Sequence, residues 1–342
     1  MTKIFSRTKS RNHIGITIEV GDALKFEADV LALKYAQALY GVDLAVHDCL
    51  NEALGPLHLP QRGAFTLHKG GGHLGARFVL FVGVEPLNQF GYAQIRDFAR
   101  RVLSSLTRKL PATKHLAVTL HGPGFGLDET ASFEAELAGL VDAITSEDYP
   151  EELELISFVE RNFGRGQRLR ACLQNLLPDG VLPVDEPNSL NTLQPETQAT
   201  LRSAGYDSAS KPRVFVAMPF AAEMDDIFHY GIQGAVNAAG MLCERADLSA
   251  FTGDVVDWVR RRIANANLLV ADLSTANPNV YLEVGYAWGC RVPTVLLAKD
   301  TSDVKFDVRG HRCLIYKSIK NLEELLRREL QNLAQSSPSV GF

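Results

Sequence analysis

Glu283 stands in NPNVYLEVGYAWG, residues 277–289, at a spacing that joins it to apolar residues. Val280, Glu283, Val284 and Ala287 fall at i, i+3, i+4 and i+7, one face of a helix. Asn277 followed by Pro278 predicts where that helix starts, a capping side chain and then a residue that needs no amide donor. Glu283 lies too far in to be the capping-box acid. The competing arrangement packs Leu282, Gly285, Tyr286 and Gly289 and leaves Glu283 in water. Just upstream, NLLVADLS reads as a buried strand that ends on Asp272. A strand, a short polar loop and a helix start form the setting in which open α/β sheets place ligands. A carboxylate held there on an apolar stripe is expected to be ionised yet poorly hydrated. Such a group could stabilise a developing positive charge or act as a nucleophile.

The elements that must position these residues alternate regularly over the second half of the chain. RVFVAMPF reads as a strand, EMDDIFHYGIQGAVNAAG as a helix stopped at Gly240, and MLCERADL as a second strand. DVVDWVRRRIANA is a helix with acids in its first turn, and its arginines at 260–262 read as a solvated face. NLLVADLS, TVLLAK and FDVRGHRCLIY supply three more strands, and NLEELLRRELQNLAQ a closing amphipathic helix. This is the pattern of a flavodoxin-like parallel sheet flanked by helices. The first half mixes strands and helices less regularly and reads as a second α/β domain with a mixed sheet. The stretch 178–212, rich in Pro, Ser, Thr, Asn and Gly, is expected to be a linker with one short helix. The expected division is therefore 1–177, 178–212 and 213–342.

The 342 residues suffice for two such domains. A hydrophobic share of 46% and a net charge of −5 give globular composition without the electrostatic footprint of a nucleic-acid binder. No CxxC pair links the five cysteines, so buried free thiols are expected, with neither disulfides nor a metal site. The basic start MTKIFSRTKSRNH lacks an apolar signal segment, and no run reaches membrane-spanning length, so a cytoplasmic protein is expected.

The segments VFVAMPF, ERADL, NLLVADLS and NPNVYLEVGYAWG, in this order, resemble the nucleoside 2-deoxyribosyltransferase-like group and the related TIR-like domains of bacterial antiphage defence proteins. The resemblance covers residues 213–316. It implies that Glu283 is the catalytic carboxylate. Asp272 matches the position that faces the base in the transferases, with a cap on the following loop as its other reading. Met218, Pro219 and Phe220 would shape the pocket, with Arg245, Asp247, Asn277 and Asn279 as further substrate-binding positions. Arg245 could meet a phosphate bidentately or pair with Asp247. Where deoxyribosyltransferases often carry an aspartate six residues before the glutamate, this chain has Asn277. That departure fits hydrolysis of NAD or another nucleotide better than base exchange.

EVGDALKFEADVLALKYAQALYGVDLAVH resembles the opening of a macro domain, and HGPGFGLDETASFEAELAGL its later phosphate loop, a layout also found at the amino terminus of leucine aminopeptidases. The VNAAN segment of ADP-ribose binders is replaced here by ALKYAQ. The resemblance implies a signal-nucleotide site at Asp22, Gly41, Val42, Asp43, Gly122, Gly124, Phe125 and Gly126. Asp22 matches the reader of the adenine amino group. Glycines ahead of a helix let backbone amides approach an anion, or simply make a tight turn. Together the resemblances imply a nucleotide-regulated N-glycosidase that needs no cofactor, takes NAD as a possible substrate and self-associates. Neither nucleic acid nor a membrane is expected as a partner. The alternatives are a non-catalytic nucleotide sensor and a nucleoside transferase or hydrolase.

Overall fold

The computed structural model describes residues 13–184, 189–245, 255–305, 308 and 310–336. Its contacts divide the chain into two compact units, one running to Gly122 and over Glu129–Asp207, the other comprising Pro123–Asp128 and the chain from Ser208 onward.

The first unit is built on a seven-stranded sheet of β1 (His13–Val20), β2 (Ala28–Tyr35), β3 (Phe65–Lys69), β4 (Ala76–Gly83), β5 (His115–Val118), β6 (Leu155–Glu160) and β7 (Val181–Pro183), in the order β3-β4-β2-β5-β6-β1-β7. Interior pairs are parallel; β3 and β7 close the two edges antiparallel. The helices are α1 (Gly41–Leu54), α2 (Tyr92–Lys109), α3 (Glu129–Thr145), α4 (Phe163–Leu176) and α5 (Pro195–Ser203). Central β2 is apolar and fully buried from Val30 to Leu33 because both of its faces are covered. On α2, Ile95, Phe98, Ala99, Val102, Leu103 and Leu106 are buried at helical spacing. The expected linker contains its one short helix, α5, and also β7, which the residue pattern did not suggest. Three residues of β7 add an edge to β1, and Leu201 and Thr197 of α5 are buried. The first unit accordingly extends to Asp207.

The second unit has five parallel strands, β8 (Arg213–Ala217), β9 (Leu242–Glu244), β10 (Leu268–Asp272), β11 (Thr294–Ala298) and β12 (Cys313–Ile315). Their order is β9-β8-β10-β11-β12, the flavodoxin-like arrangement expected. One face is covered by α6 (Ala222–Asp226), which continues through a π-helical segment, Ile227–Gln233, into α7 (Gly234–Ala238), and by α10 (Ile319–Ser336). The other carries α8 (Val255–Ala264) and α9 (Pro278–Gly289). Alternate strand residues serve the two faces: Val214, Val216, Leu268 and Val270 point to the first, Phe215, Ala217, Leu269 and Ala271 to the second. Strand order reverses between β8 and β10, so a crevice is expected beyond their carboxyl ends.

No helix among the described residues is long and apolar enough to cross a membrane. The cysteines are free, and Cys243 is buried, but Cys290 is exposed, contrary to the expectation of uniformly buried thiols. Cys290 follows the last turn of α9, past the residues that pack on the sheet.

Candidate active site

Asn277 caps α9 as its sequence predicts: its side chain accepts a hydrogen bond of 2.9 Å from the Asn279 amide, with Pro278 at the first helical position. The packed stripe is Val280, Val284 and Ala287, against the sheet. Leu282 is 66% exposed, so the competing stripe is not the one that packs. Glu283 neighbours the packed stripe and faces a cavity of about 240 Å³ in the second unit.

Met218 and Phe220, just beyond β8, form one side of the cavity. Val256, Val259, Arg260 and Ile263 of α8 form another. Asn277, Asn279, Val280, Leu282, Glu283 and Tyr286 complete it from α9. The cavity therefore opens at the switch point of the sheet. Among the described residues Glu283 has neither a hydrogen bond nor an ion pair, and burial alone pushes its carboxyl up to about 7. This corrects the expectation of a plainly ionised carboxylate: at neutral pH the group is poised between its two forms. An unpartnered carboxyl in an apolar cleft is the setting in which acid, base and electrostatic roles are interchangeable.

Asp272 is placed elsewhere. It is fully buried and does not line the cavity. One oxygen accepts from the Ser274 amide at 2.9 Å and the other from the Tyr316 hydroxyl at 2.7 Å. Burial raises its pKa, and the bonds from Ser274 and Tyr316 pull it back down. The geometry agrees with the reading of Asp272 as the cap of its loop. That loop is sharply bent, with Thr275 and Ala276 at φ of 68° and 49°. Two successive residues in the left-handed region cost of order 1 kcal/mol or more each, and here they aim the chain into the Asn277 cap.

The remaining candidates of this unit divide. Met218, Phe220, Asn277 and Asn279 meet at the cavity; Pro219 is buried and does not line it. Arg245 lies behind Met218 and Phe220, its guanidinium 4.0 Å from the Phe228 ring centre and 5.6 Å from that of Phe220. It donates to Asp225 at 3.4 Å and to the Met218 sulfur at 3.7 Å. Asp247 lies outside the described residues.

The arginine run at 260–262 is not one solvated face. Arg262 pairs with buried Glu244 at 3.2 Å and lies over the Trp258 ring, whereas Arg260 lines the cavity. Sequence reasoning missed Arg260, although the signal was present. Val256, Val259, Arg260 and Ile263 repeat the i, i+3, i+4, i+7 spacing in which Glu283 also interrupts an apolar face. Tyr286, too, went unremarked as a lining residue.

In the first unit, Asp43 is 1% exposed and forms an ion pair of 2.5 Å with Lys34, itself 3% exposed. Lys34 belongs to ALKYAQ, so the residues that replace the asparagine-rich segment neutralise the aspartate of GVD. Gly41, at φ 52°, is exposed and Val42 half-buried at the start of the same helix. Asp22 is exposed and accepts from the Leu24 amide at 3.0 Å. Gly122 and Gly126 take positive φ, 107° and 85°, with Gly124 and Phe125 half-buried between them. Pro123–Asp128 group with the second unit, where Asp128 accepts from the Cys243 amide at 3.0 Å. Among the described residues no cluster of three or more His, Cys, Asp or Glu could hold a metal ion.

No protein-family model matches the chain, and no curated protein matches it. Among solved structures it is similar to an Oceanobacillus iheyensis macrodomain with MES bound, 17% identical, over 47% of this chain and 91% of that one, with a TM-score of 0.35. It is also similar to a Trypanosoma brucei macrodomain in complex with ADP, 18% identical over 46% and 69%, with a TM-score of 0.39. The same macrodomain in complex with ADP-ribose gives 19%, the same coverage and 0.38.

Proposed function

We propose that the protein is an N-glycosidase that cleaves NAD or a related nucleotide, with Glu283 as its catalytic carboxylate. The observation that carries this reading is the Glu283 carboxyl, raised to about 7 and without a partner among the described residues, in an otherwise largely apolar cavity at the sheet's switch point. In NAD the leaving nitrogen is already cationic. When the bond from C1′ to nitrogen breaks, its electron pair neutralises that nitrogen, and nicotinamide departs without needing a proton. Water supplies oxygen to C1′ and releases one proton, giving ADP-ribose and nicotinamide.

A cationic substrate also draws Glu283 into its ionised form, because an opposite charge lowers a carboxyl pKa. The carboxylate then faces the oxocarbenium character that develops at C1′. Arg260, Glu283 and Tyr286 are the ionisable side chains among the described lining residues, so a second carboxylic acid to protonate a neutral base is not provided by them. That favours NAD over nucleosides.

In this proposal the first unit senses a nucleotide signal through Asp22, Gly41 and Val42, and the protein self-associates in the cytoplasm of a bacterium defending itself against phage. Incubation of the full chain with NAD and a nucleoside panel, with and without added nucleotides, tests it by chromatography. Release of nicotinamide by the wild type and not by Glu283→Gln is the expected result. Equal release by both removes Glu283 from the chemistry and leaves a non-catalytic sensor as the reading.

A further inference from the structure

We propose that Arg260 is the anion-holding end of the Glu283 cavity and selects N-glycosides that carry a phosphate on the sugar over unphosphorylated nucleosides. The chemistry at Glu283 rests on the glycosidase reading; the anion site itself does not. Arg260 interrupts the stripe of Val256, Val259 and Ile263 on α8 as Glu283 interrupts that of α9, and this α8 stripe lines the same cavity as Val280 and Glu283. The described lining thus has one cation and one carboxyl, on different helices.

Among the described residues Arg260 has no contact that commits it to the fold. Its ion pair with Asp257 is 3.7 Å long, and the two side chains are 51% and 62% exposed. A pair of that kind contributes little. Its distance of 5.9 Å from the Tyr286 ring centre is at the outer limit of a cation–π contact. Arg262, two positions on, shows the contrast: it is held by buried Glu244. A guanidinium offers a planar fork that matches phosphate oxygens bidentately. A ribose phosphate presents an anion at C5′ and, during cleavage, positive charge at C1′. This is the polarity that a cavity with Arg260 and Glu283 accommodates.

The test pairs nicotinamide mononucleotide with nicotinamide riboside, which differ by the phosphate alone. The wild type should prefer the mononucleotide in kcat/KM, Arg260→Gln should lose about tenfold of that preference, and Arg260→Lys should lose less. An unchanged preference in Arg260→Gln, or none in the wild type, overturns the proposal. Calorimetry of the full chain with ribose 5-phosphate and with ribose separates this site from the glycosidase reading. If no glycoside is cleaved but ribose 5-phosphate binds the wild type about tenfold more tightly than Arg260→Gln, the anion site stands and the glycosidase does not. Binding that is equal in both proteins, or absent from both, overturns the anion site whatever the activity.

Discussion

The Tyr316 hydroxyl donates to Asp272 at 2.7 Å, and both side chains are buried. Asp272 ends β10 and Tyr316 follows β12, so the bond ties the loop entering α9 to the far side of the sheet. The pair belongs to the framework that aims α9, and Glu283 with it.

Replacing Tyr316 with Phe removes one of the two donors that favour the ionised Asp272. A buried carboxylate deprived of a donor costs about 1–3 kcal/mol. Tyr316→Phe should lower the urea midpoint accordingly while retaining nicotinamide release in the folded protein. Abolished release at unchanged stability would return Asp272 to the reacting centre.

A second framework bond concerns the stretch expected to be a linker. Arg96 is buried and pairs with Asp142 at 2.7 Å, and its guanidinium also donates to the carbonyls of Leu201, Arg202 and Ala204 at 3.0, 3.1 and 2.6 Å. Arg96→Met should cost about 3–5 kcal/mol, because a carboxylate and three carbonyls lose their donor together. Proteolysis within 195–206 should then precede cleavage elsewhere. A fragment pattern identical to the wild type would mean that α5 is held by Thr197 and Leu201 alone.

The periodic elements were legible because burial on one or both faces writes itself into spacing: the parallel strands of the second unit, the Asn277 cap and the stripe through Val280, Val284 and Ala287 all follow from residue order. The flavodoxin-like strand order agrees with the expectation from that alternation. What stayed hidden depended on partners distant in sequence. Nothing in PDGVLP marks β7, whose only reason to be a strand is the free edge of β1. Arg96 meets Ala204 across more than a hundred residues, so a Pro- and Ser-rich stretch reads as a linker although three of its carbonyls are anchored. Arg260 could have been found by the spacing that exposed Glu283, but the neighbouring Arg261 and Arg262 disguised it as part of a charged surface.

Gly126 tests the geometry of the glycine loop. Its φ is 85°, and a Cβ there would lie 2.5 Å from the Trp258 ring. Gly126→Ala should cost about 1–3 kcal/mol, combining left-handed strain with displacement of the ring. Trp258 fluorescence in the folded variant should shift as well. Unchanged stability and emission would show that the loop relaxes freely.

Glu283 sets two pH profiles. Its carboxyl stands at about 7 against an ordinary value of 4.5, so the folded protein holds its proton where the unfolded chain has lost it. Stability from this group is complete below about 4.5 and is lost as pH rises through 7. Glu283→Gln should therefore be more stable than the wild type at pH 8, with the gap narrowing towards pH 5. Since one pKa unit is about 1.4 kcal/mol, the gap can reach ~3 kcal/mol, discounted for solvent access to the cavity. For activity the direction reverses. If the ionised carboxylate faces the developing cation, kcat/KM for NAD should rise with pH and level off above about 7, since that ratio reports the free enzyme. The profile of kcat should level off at lower pH, because the bound cation favours ionisation. A kcat/KM that falls through the same range would make Glu283 the proton donor and shift the substrate class towards neutral nucleosides, whose bases leave only when protonated.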